Sequence, residues 1–366
     1  MTNNNKRMAK TALLAVAIGV ISTAAMAKGP GYCARHPNDS SCQGSSSDGS
    51  AGGSSSTTSL TTAFWMQSDV QGVWDLGFIG TGSTITVVDD YSSSDVFMGT
   101  LDGTNYLTQH HGDWTSMEAG MVAPGATVVQ RDWSSKGPVS LSSDTFNVIN
   151  ASYGLLTTAG FDPNALIYTK RDQSIMDAAA NGTAVVSKAA GNTSGYAVDE
   201  AFPNGSGGFY QDYLNLSLIG DPGAIFVGAL SSNGSTDNPA SIAFYSTIAG
   251  SNTTVQNQFL VVGVDADNGS DSLANYYNCG ADAGTCLYGT SFAAPIVAGY
   301  AAILGQKFTT NGTPPDAALI AQRMLDKTRT DTLVDLGAPG WSAEDMATYG
   351  QGEACLSCAL SPDTLN

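Results

Sequence analysis

The sequence predicts a doubly wound α/β fold, with a mostly parallel sheet and helices on both of its faces. Three observations lead to this prediction. Short apolar runs rich in β-branched residues recur along the chain, the runs are continuous rather than alternating, and helix-like stretches separate them. Continuous apolar strands are typical of a parallel sheet that is covered on both sides. Alternation of strands and helices is typical of βαβ connections.

Six strands and four helices follow from these patterns. The strand candidates, in chain order, are Thr84–Val88, Ala126–Gln130, Val148–Ala151, Ala184–Ser187, Ile225–Gly228 and Phe259–Val262. The helix candidates are residues 114–121, 172–181, 291–307 and 315–328. Asn-Gly pairs that begin at positions 181, 204, 233, 268 and 311 mark turns between the elements.

Composition excludes some classes of function. The chain has 366 residues, which is long enough for one large domain. Only 13% of the residues are charged, and acidic residues exceed basic ones, so the formal net charge is -18. No nucleic-acid partner is expected, because phosphate contacts need clustered cations. No apolar run reaches the roughly 18 residues that a membrane-spanning helix needs.

Residues 1–27 carry the three parts of a signal peptide. They are a basic start (Lys6, Arg7, Lys10), an apolar stretch at 11–24, and the small-residue cleavage site Ala25-Met26-Ala27. A buried N-terminal helix would not require all three parts in this order. The protein is therefore expected to be secreted, to an extracellular or periplasmic destination, with no membrane anchor after cleavage.

The rest of the chain divides in two. Residues 28–62 are interpreted as a short Cys-containing segment plus a Gly/Ser/Thr-rich linker, and residues 63–366 as a single domain.

The six cysteines form three local pairs, Cys33/Cys42, Cys279/Cys286 and Cys355/Cys358. In an oxidising compartment, structural disulfides within these pairs are the simplest interpretation. A zinc site at the last pair would need a second ligand pair, and a redox motif would be expected beside an opening βαβ unit.

Few residues can carry acid–base chemistry. The three histidines are His36, His110 and His111, so an imidazole base within the domain must be His110 or His111. Asp89 ends a predicted buried strand, and open α/β sheets present functional groups at such strand ends. Ser291 begins a helix of small residues, where backbone N–H groups can face a developing oxyanion. An N-cap role for this serine would not explain the Ala-Ala-Pro that follows.

These segments resemble the motifs of the subtilisin-like serine proteases (subtilases). Gly289-Thr290-Ser291, with its following Ala-Ala-Pro, is similar to the nucleophile motif of that family. Asp89, His111-Gly112 and Ser291 stand in the chain order that the family uses. Residues 148–154 resemble the strand that pairs with the substrate backbone, and residues 189–192 resemble the block whose Asn side chain completes the oxyanion hole.

The resemblance implies a subtilisin-like catalytic domain at residues 63–366 and serine endopeptidase activity. Ser291 would be the nucleophile, His111 the general base and Asp89 the carboxylate that orients it, with Asn192 as an oxyanion donor. His111 is preferred to His110 because a glycine follows it, as in the family motif. The residues implied in substrate binding are Ser152, Tyr153, Gly154 and Gly191.

Two residues depart from the family pattern without removing a reacting group. Tyr91 stands where a glycine commonly lies two residues after the catalytic aspartate. Asp113 stands where a threonine commonly follows His-Gly. Asp113 is expected to bring negative charge near the imidazole, which tends to raise the pKa of a histidine.

The predicted chemistry needs no metal or cofactor, and the expected partners of a monomer are protein or peptide substrates. Calcium stabilises many subtilases, and a structural calcium ion is left open. Residues 265–271 lack EF-hand ligand spacing and are interpreted as a solvated turn. The alternative function is a catalytically impaired, subtilase-fold binding protein. An α/β-hydrolase esterase is excluded, because the chain lacks Gly-x-Ser-x-Gly and no histidine follows His111.

Overall fold

A computed structural model describes residues 60–102, 107–264, 289–337, 340–361 and 364–365. The described chain from Thr62 onward belongs to one compact unit. Several predictions lie outside the described residues. They concern the signal peptide, nearly all of segment 28–62, the pairs Cys33/Cys42 and Cys279/Cys286, and the turn at 265–271.

The described strands are short. In chain order they are β1 (Ser83–Asp89), β2 (Val96–Gly99), β3 (Leu107–His110), β4 (Thr127–Asp132), β5 (Phe146–Ala151), β6 (Leu156–Thr158), β7 (Val185–Ala189), β8 (Phe202–Pro203), β9 (Phe209–Asp212), β10 (Ala224–Leu230) and β11 (Phe259–Gly263). The described α-helices are α1 (Asp69–Asp75), α2 (His111–Val122), α3 (Lys170–Ala180), α4 (Tyr213–Leu218), α5 (Thr253–Gln256), α6 (Ala293–Phe308), α7 (Ala317–Asp326), α8 (Ala343–Tyr349) and α9 (Leu356–Leu360).

The six predicted strands form one sheet in the order β11-β10-β7-β5-β1-β4. Every pair of neighbours in it is parallel. The doubly wound prediction is therefore confirmed. Consecutive residues in these strands point to opposite faces, and each face has its own apolar layer. Val87 packs in the layer that contains α6, whereas Val88 packs in the layer that contains α3 and α4. Burial on both faces explains why the strands other than the edge strand β4, which is partly exposed, read as continuous runs without regular polar alternation.

Helix α6 is the central helix of one layer. Its residues are almost entirely buried, and it contacts β1, β5, β7, β10 and β11 as well as α2 and α7. Small side chains allow this close approach: a Cβ on Gly299 would lie 2.5 Å from the Val122 side chain of α2. The predicted helices are present with ends shifted by up to three residues. Ser291 lies two residues before α6, whose N-cap is Phe292, so the serine does not cap the helix.

The sequence did not predict two small antiparallel sheets. One pairs β2 with β3, and the other has the order β6-β9-β8. Their strands are two to four residues long, which is too short for a hydrophobic period to be recognised. Both lie in connections that follow the carboxyl ends of sheet strands, beside the candidate site described below.

Two further findings concern the cysteines and the membrane. Cys355 and Cys358 form a disulfide, which confirms the predicted pairing for this pair. Within the described residues, no helix combines the length and the apolar character needed to cross a bilayer.

Candidate active site

The candidate site lies at the carboxyl edge of the six-stranded sheet. Asp89 is the last residue of β1, Ser152 follows β5, and Asn192 lies three residues after β7. These three strands are neighbours and run parallel, so their carboxyl ends meet at one edge. The strand order thus assembles side chains that are up to about a hundred residues apart in the chain.

Asp89 and His111 form a short hydrogen bond. Nδ1 of His111 donates to Oδ1 of Asp89 at 2.6 Å, and the aspartate is only 2% exposed. The other carboxylate oxygen accepts a hydrogen bond from Oγ1 of Thr115 at 2.8 Å. The backbone N–H of Asp90 also donates to Oδ1, at 2.7 Å. Because the carboxylate is held at both oxygens, it fixes the orientation of the imidazole and directs Nε2 away from itself.

Two aromatic rings flank the imidazole of His111. Phe97 lies with its ring centroid 5.9 Å away and Phe292 at 5.6 Å, both in edge-to-face arrangements. Phe292 directly follows Ser291, so the second contact brings the serine segment to the histidine. The unpredicted strand β2 supplies Phe97. Both rings pack against the imidazole and support its placement.

The hydroxyl of Ser291 is engaged by the strand end on its other side. Oγ of Ser291 donates to the carbonyl oxygen of Ser152 at 3.3 Å. In return, Oγ of Ser152 donates to the carbonyl oxygen of Ser291 at 2.9 Å. These two hydrogen bonds fix the turn that precedes α6 against the end of β5. The serine hydroxyl therefore has a backbone partner.

The amide of Asn192 is oriented by Thr290. Oδ1 of Asn192 accepts hydrogen bonds from the backbone N–H of Thr290 at 2.8 Å and from its hydroxyl at 3.2 Å. The Nδ2 end, which carries the two donors, is consequently turned away from that N–H. Gly289 adopts a φ of 131°, and a Cβ there would lie 2.5 Å from Nδ2. Only glycine fits this position without displacing the amide.

A cleft of about 570 Å³ adjoins the serine. Its walls include Ser291 and Asn192 together with all four residues predicted to bind substrate, namely Ser152, Tyr153, Gly154 and Gly191. The structure therefore brings these six predicted residues to one cavity. A second cavity of about 380 Å³, lined by residues such as Asp69 and Arg329, shares no residue with the cleft.

The first departure from the family pattern, Tyr91, has a structural explanation. The ring of Tyr91 occupies the space beside Gly112, where a Cβ would lie 2.6 Å from the ring. Its hydroxyl shares a hydrogen bond of 2.7 Å with Ser116 and donates to the Val87 carbonyl. Burial raises the pKa of Tyr91 above its usual range. Tyr91 thus stays neutral and packs under the first turn of the helix that His111 begins.

Asp113 does not act on His111 as expected. Its carboxylate lies 3.3 Å from Nδ1 of the neighbouring His110 and also accepts from Gln130. Burial, the largest influence, lowers the pKa of His111, but the charge and hydrogen bond of Asp89 and the charge of Asp90 outweigh it. The pKa of His111 therefore lies above the ordinary value of 6.5, and Asp113 is not among the causes.

Sequence reasoning missed three polar residues of the site. Thr115 carried no signal, because an interior helix threonine is common. Lys188 did carry a sequence signal, because it is a charged residue within an otherwise apolar strand. In the structure it lines the cleft together with Asp212. Asp212 lies in the unpredicted strand β9, so nothing in the local pattern connected it with the site.

A parallel α/β sheet that carries an aspartate–histidine pair near a serine segment is typical of serine hydrolases, among them the subtilisin-like proteases. The model of the subtilase family (peptidase S8) matches residues 98–345, so the chain belongs to the subtilase family. The matched range contains His111, Asn192 and Ser291, whereas Asp89 precedes it.

Comparison with solved structures found similar chains at low identity. The prenylagaramide maturation protease PagA is 17% identical, with 81% of this chain and 99% of that chain covered and a TM-score of 0.48. The MycP3 protease of the type VII (ESX-3) secretion system is 18% identical, with 82% of this chain and 89% of that chain covered and a TM-score of 0.44. A chain described among proteases from Pseudoalteromonas arctica is 17% identical, with 81% of this chain and 94% of that chain covered and a TM-score of 0.45. No curated protein matched the chain.

Proposed function

We propose that the protein is an exported serine endopeptidase that acts through Asp89, His111 and Ser291, with Asn192 in the oxyanion hole. Membership of the subtilase family supports the peptidase class. The observation that carries the assignment of roles is the 2.6 Å hydrogen bond between His111 and Asp89. It leaves Nε2 as the ring nitrogen that can take a proton, and the Phe292 contact places the ring beside the serine segment.

In this mechanism Nε2 of His111 accepts the hydroxyl proton of Ser291 as Oγ attacks the scissile carbonyl carbon. The imidazolium then gives that proton to the leaving amine, and a water molecule hydrolyses the acyl-enzyme in the same way. Asp89 maintains the tautomer and stabilises the imidazolium. Oγ of Ser291 donates to the Ser152 carbonyl, so the hydroxyl must exchange that partner for the imidazole before the proton is transferred.

The oxyanion would form next to Asn192. Nδ2 of Asn192 and the backbone N–H of Ser291 are the two donors that the mechanism assigns to it. Preorganised donors of this kind stabilise the charge that develops in the transition state, and losing one costs about 10²–10³ in kcat, a magnitude that comes from subtilisin, another member of this family. The bonds from Thr290 to Oδ1 support the assignment, because they fix which end of the amide carries the donors and turn that end away from Thr290.

Four further parts of the proposal rest on the sequence. Residues 1–27 direct export to an extracellular or periplasmic location, the enzyme acts as a monomer, its substrates are proteins or peptides, and its chemistry requires no cofactor. Within the described residues, no cluster of three or more His, Cys, Asp and Glu side chains could hold a metal ion.

The direct test is hydrolysis of casein by the purified protein, combined with a serine-directed phosphonate probe and peptide mapping. We expect casein to be cleaved and the probe to label Ser291 alone. Heat-unfolded protein is the control, because labelling must depend on the folded site. Binding of peptides without turnover or labelling would instead support the alternative of a catalytically impaired binding protein. Labelling of a different serine would overturn the assigned roles.

The rate should depend on pH through His111. The imidazole must be neutral to accept the serine proton, and its pKa is raised, so kcat/KM should rise with pH through a midpoint above 6.5. Asp90→Asn removes a charge that raises this pKa, and the midpoint should therefore move to lower pH. Asp113→Asn is the matched control and should leave the midpoint unchanged. Equal shifts in the two variants, measured by pH–rate profiles, would contradict this account.

A further inference from the structure

The base of the cleft contains a buried ion pair. Lys188, on β7, is 1% exposed and points to the face of the sheet that carries α3 and α4, where Asp212 lies. Nζ of Lys188 donates to Oδ2 of Asp212 at 3.3 Å and to the carbonyl oxygen of Ala189 at 2.5 Å. Burial lowers the pKa of Lys188, and Asp212 opposes that shift. A buried pair of this kind needs its remaining donors and acceptors satisfied.

Asp212 is held firmly in place. Its Oδ1 caps helix α4 by accepting from the backbone N–H of Leu214 at 3.0 Å, and it accepts a further hydrogen bond from Leu155 at 2.9 Å. A Cβ on Gly154 would lie 2.7 Å from Oδ2. Glycine at this position therefore lets the Asp212 carboxylate approach the cleft wall. The negative charge of Asp212 and the positive charge of Lys188 cancel, so the pair carries no net charge.

The base of the cleft has unused hydrogen-bonding capacity. Among the described residues, the ammonium of Lys188 uses two of its three protons, and Oδ2 of Asp212 accepts one hydrogen bond. Asn215, which also lines the cleft, is 2% exposed and donates from Nδ2 to Ala190. Its Oδ1 is buried with no partner among the described residues. The base thus offers one donor and two acceptors, and a buried polar atom without a partner is costly.

The position of the cleft determines which substrate side chain reaches this base. In the proposed mechanism the scissile carbonyl carbon lies at Oγ of Ser291 and its oxygen lies at Asn192. The P1 residue contributes this carbonyl, and its side chain begins at Cβ, two bonds from the carbonyl carbon. Because both Ser291 and Asn192 belong to the cleft wall, the P1 side chain is the one that enters it.

We propose that Lys188, Asp212 and Asn215 make this cleft selective for a P1 side chain that ends in a carboxamide, with glutamine preferred. The inference rests on the proposed peptidase function. A carboxamide has one acceptor and two donors, which match the donor of Lys188 and the acceptors of Asp212 and Asn215. The apolar walls at Leu156 and Phe202 suit the two methylenes of glutamine, so the shorter asparagine fits less well.

Other side chains match this base poorly. A Lys, Arg or Glu side chain would add a net charge to a pair that is already neutral, at a desolvation cost. A Leu or Phe side chain would exclude water and leave the free donor and acceptors of the base unpaired. Sites built to hydrogen-bond a substrate group reject analogues that lack the group more strongly than apolar pockets reject a missing methylene.

The experiment compares internally quenched peptides that differ only at P1, with Gln, Asn, Leu, Phe, Glu, Lys or Arg at that position. We expect kcat/KM for Gln to exceed that for Leu and Glu by about 10²-fold. Highest turnover with Lys or Arg would overturn the proposal and indicate a negatively charged pocket. Highest turnover with Leu or Phe would overturn it in favour of an apolar pocket. If casein is not cleaved at all, the proposed peptidase function fails; if casein is cleaved without a Gln preference, only this inference fails.

A double variant tests the ion pair itself. Lys188→Met with Asp212→Asn removes the pair without leaving a lone buried charge, and it keeps an acceptor for the cap of α4. The Gln-to-Leu ratio of kcat/KM should fall at least tenfold. Arg329→Met with Asp331→Asn is the matched control, because it removes a pair outside the cleft and should leave the ratio unchanged. An unchanged ratio in the Lys188/Asp212 variant would overturn the proposal, and if that variant fails to fold, the wild-type P1 series still decides it.

Discussion

Replacement of Ser291 by alanine is expected to lower kcat for peptide hydrolysis by about 10⁴-fold or more, to near background. The proposed reaction needs a nucleophilic oxygen that forms the acyl-enzyme, and alanine provides none. The loss should appear in kcat rather than in KM, because Ser291 is one of many residues that line the cleft. Magnitudes of this order are typical when one member of a catalytic unit is removed, as in subtilisin, another member of this family.

The same substitution should leave the fold intact. The hydroxyl of Ser291 makes one hydrogen bond among the described residues, at 3.3 Å to the Ser152 carbonyl, so its removal costs little stability. Thermal unfolding followed by circular dichroism checks this, and active-site titration checks the loss of the nucleophile. Ser143→Ala, at an exposed serine that does not line the cleft, is the control and should keep wild-type activity. Residual activity of more than a few per cent in Ser291→Ala would show that another group is the nucleophile.

The large sheet was predictable because all of its strands except the edge strand β4 are buried on both faces. The run at 259–262 is apolar at every position, and the run at 84–88 consists entirely of β-branched residues. Six runs of this kind with helices between them allow few architectures. The small sheets were not predictable, because strands of two to four residues are formed by tertiary contacts rather than by local pattern. Phe97, which packs on the histidine, lies in one of these strands.

The site was predictable to the extent that its residues lie in sequence motifs. Asp89, Asn192 and Ser291 each adjoin a recognisable run of residues, and the parallel sheet brings the runs together. The pairing of Lys188 with Asp212 was not predictable, because it depends on how strand β9 folds back under the cleft. The expected effect of Asp113 was wrong for a related reason. Helix α2 turns that carboxylate toward His110, and Asp90 adds the second charge that raises the pKa of His111.

His111→Ala should lower kcat by a similar factor of about 10⁴ or more, whereas His110→Ala should change it less than about threefold. The two histidines are adjacent, yet their surroundings differ. His111 is bonded to the buried Asp89 and contacts the ring of Phe292, next to the serine. His110 has Nδ1 3.3 Å from Asp113 and Nε2 3.2 Å from the Ser93 carbonyl, so both of its ring nitrogens already face other oxygen atoms.

The comparison is informative because the two variants remove the same side chain at neighbouring positions. A general loss of structure at the start of α2 would affect both variants, whereas loss of a general base affects His111→Ala alone. The His111 variant should also lose the acidic limb of the pH–rate profile, since no imidazole titrates in its remaining activity. The reverse pattern, a mild effect at His111 and a large one at His110, would assign the base to His110. It would also make the aspartate that orients the base Asp113 rather than Asp89, because Asp113 is the carboxylate within reach of His110.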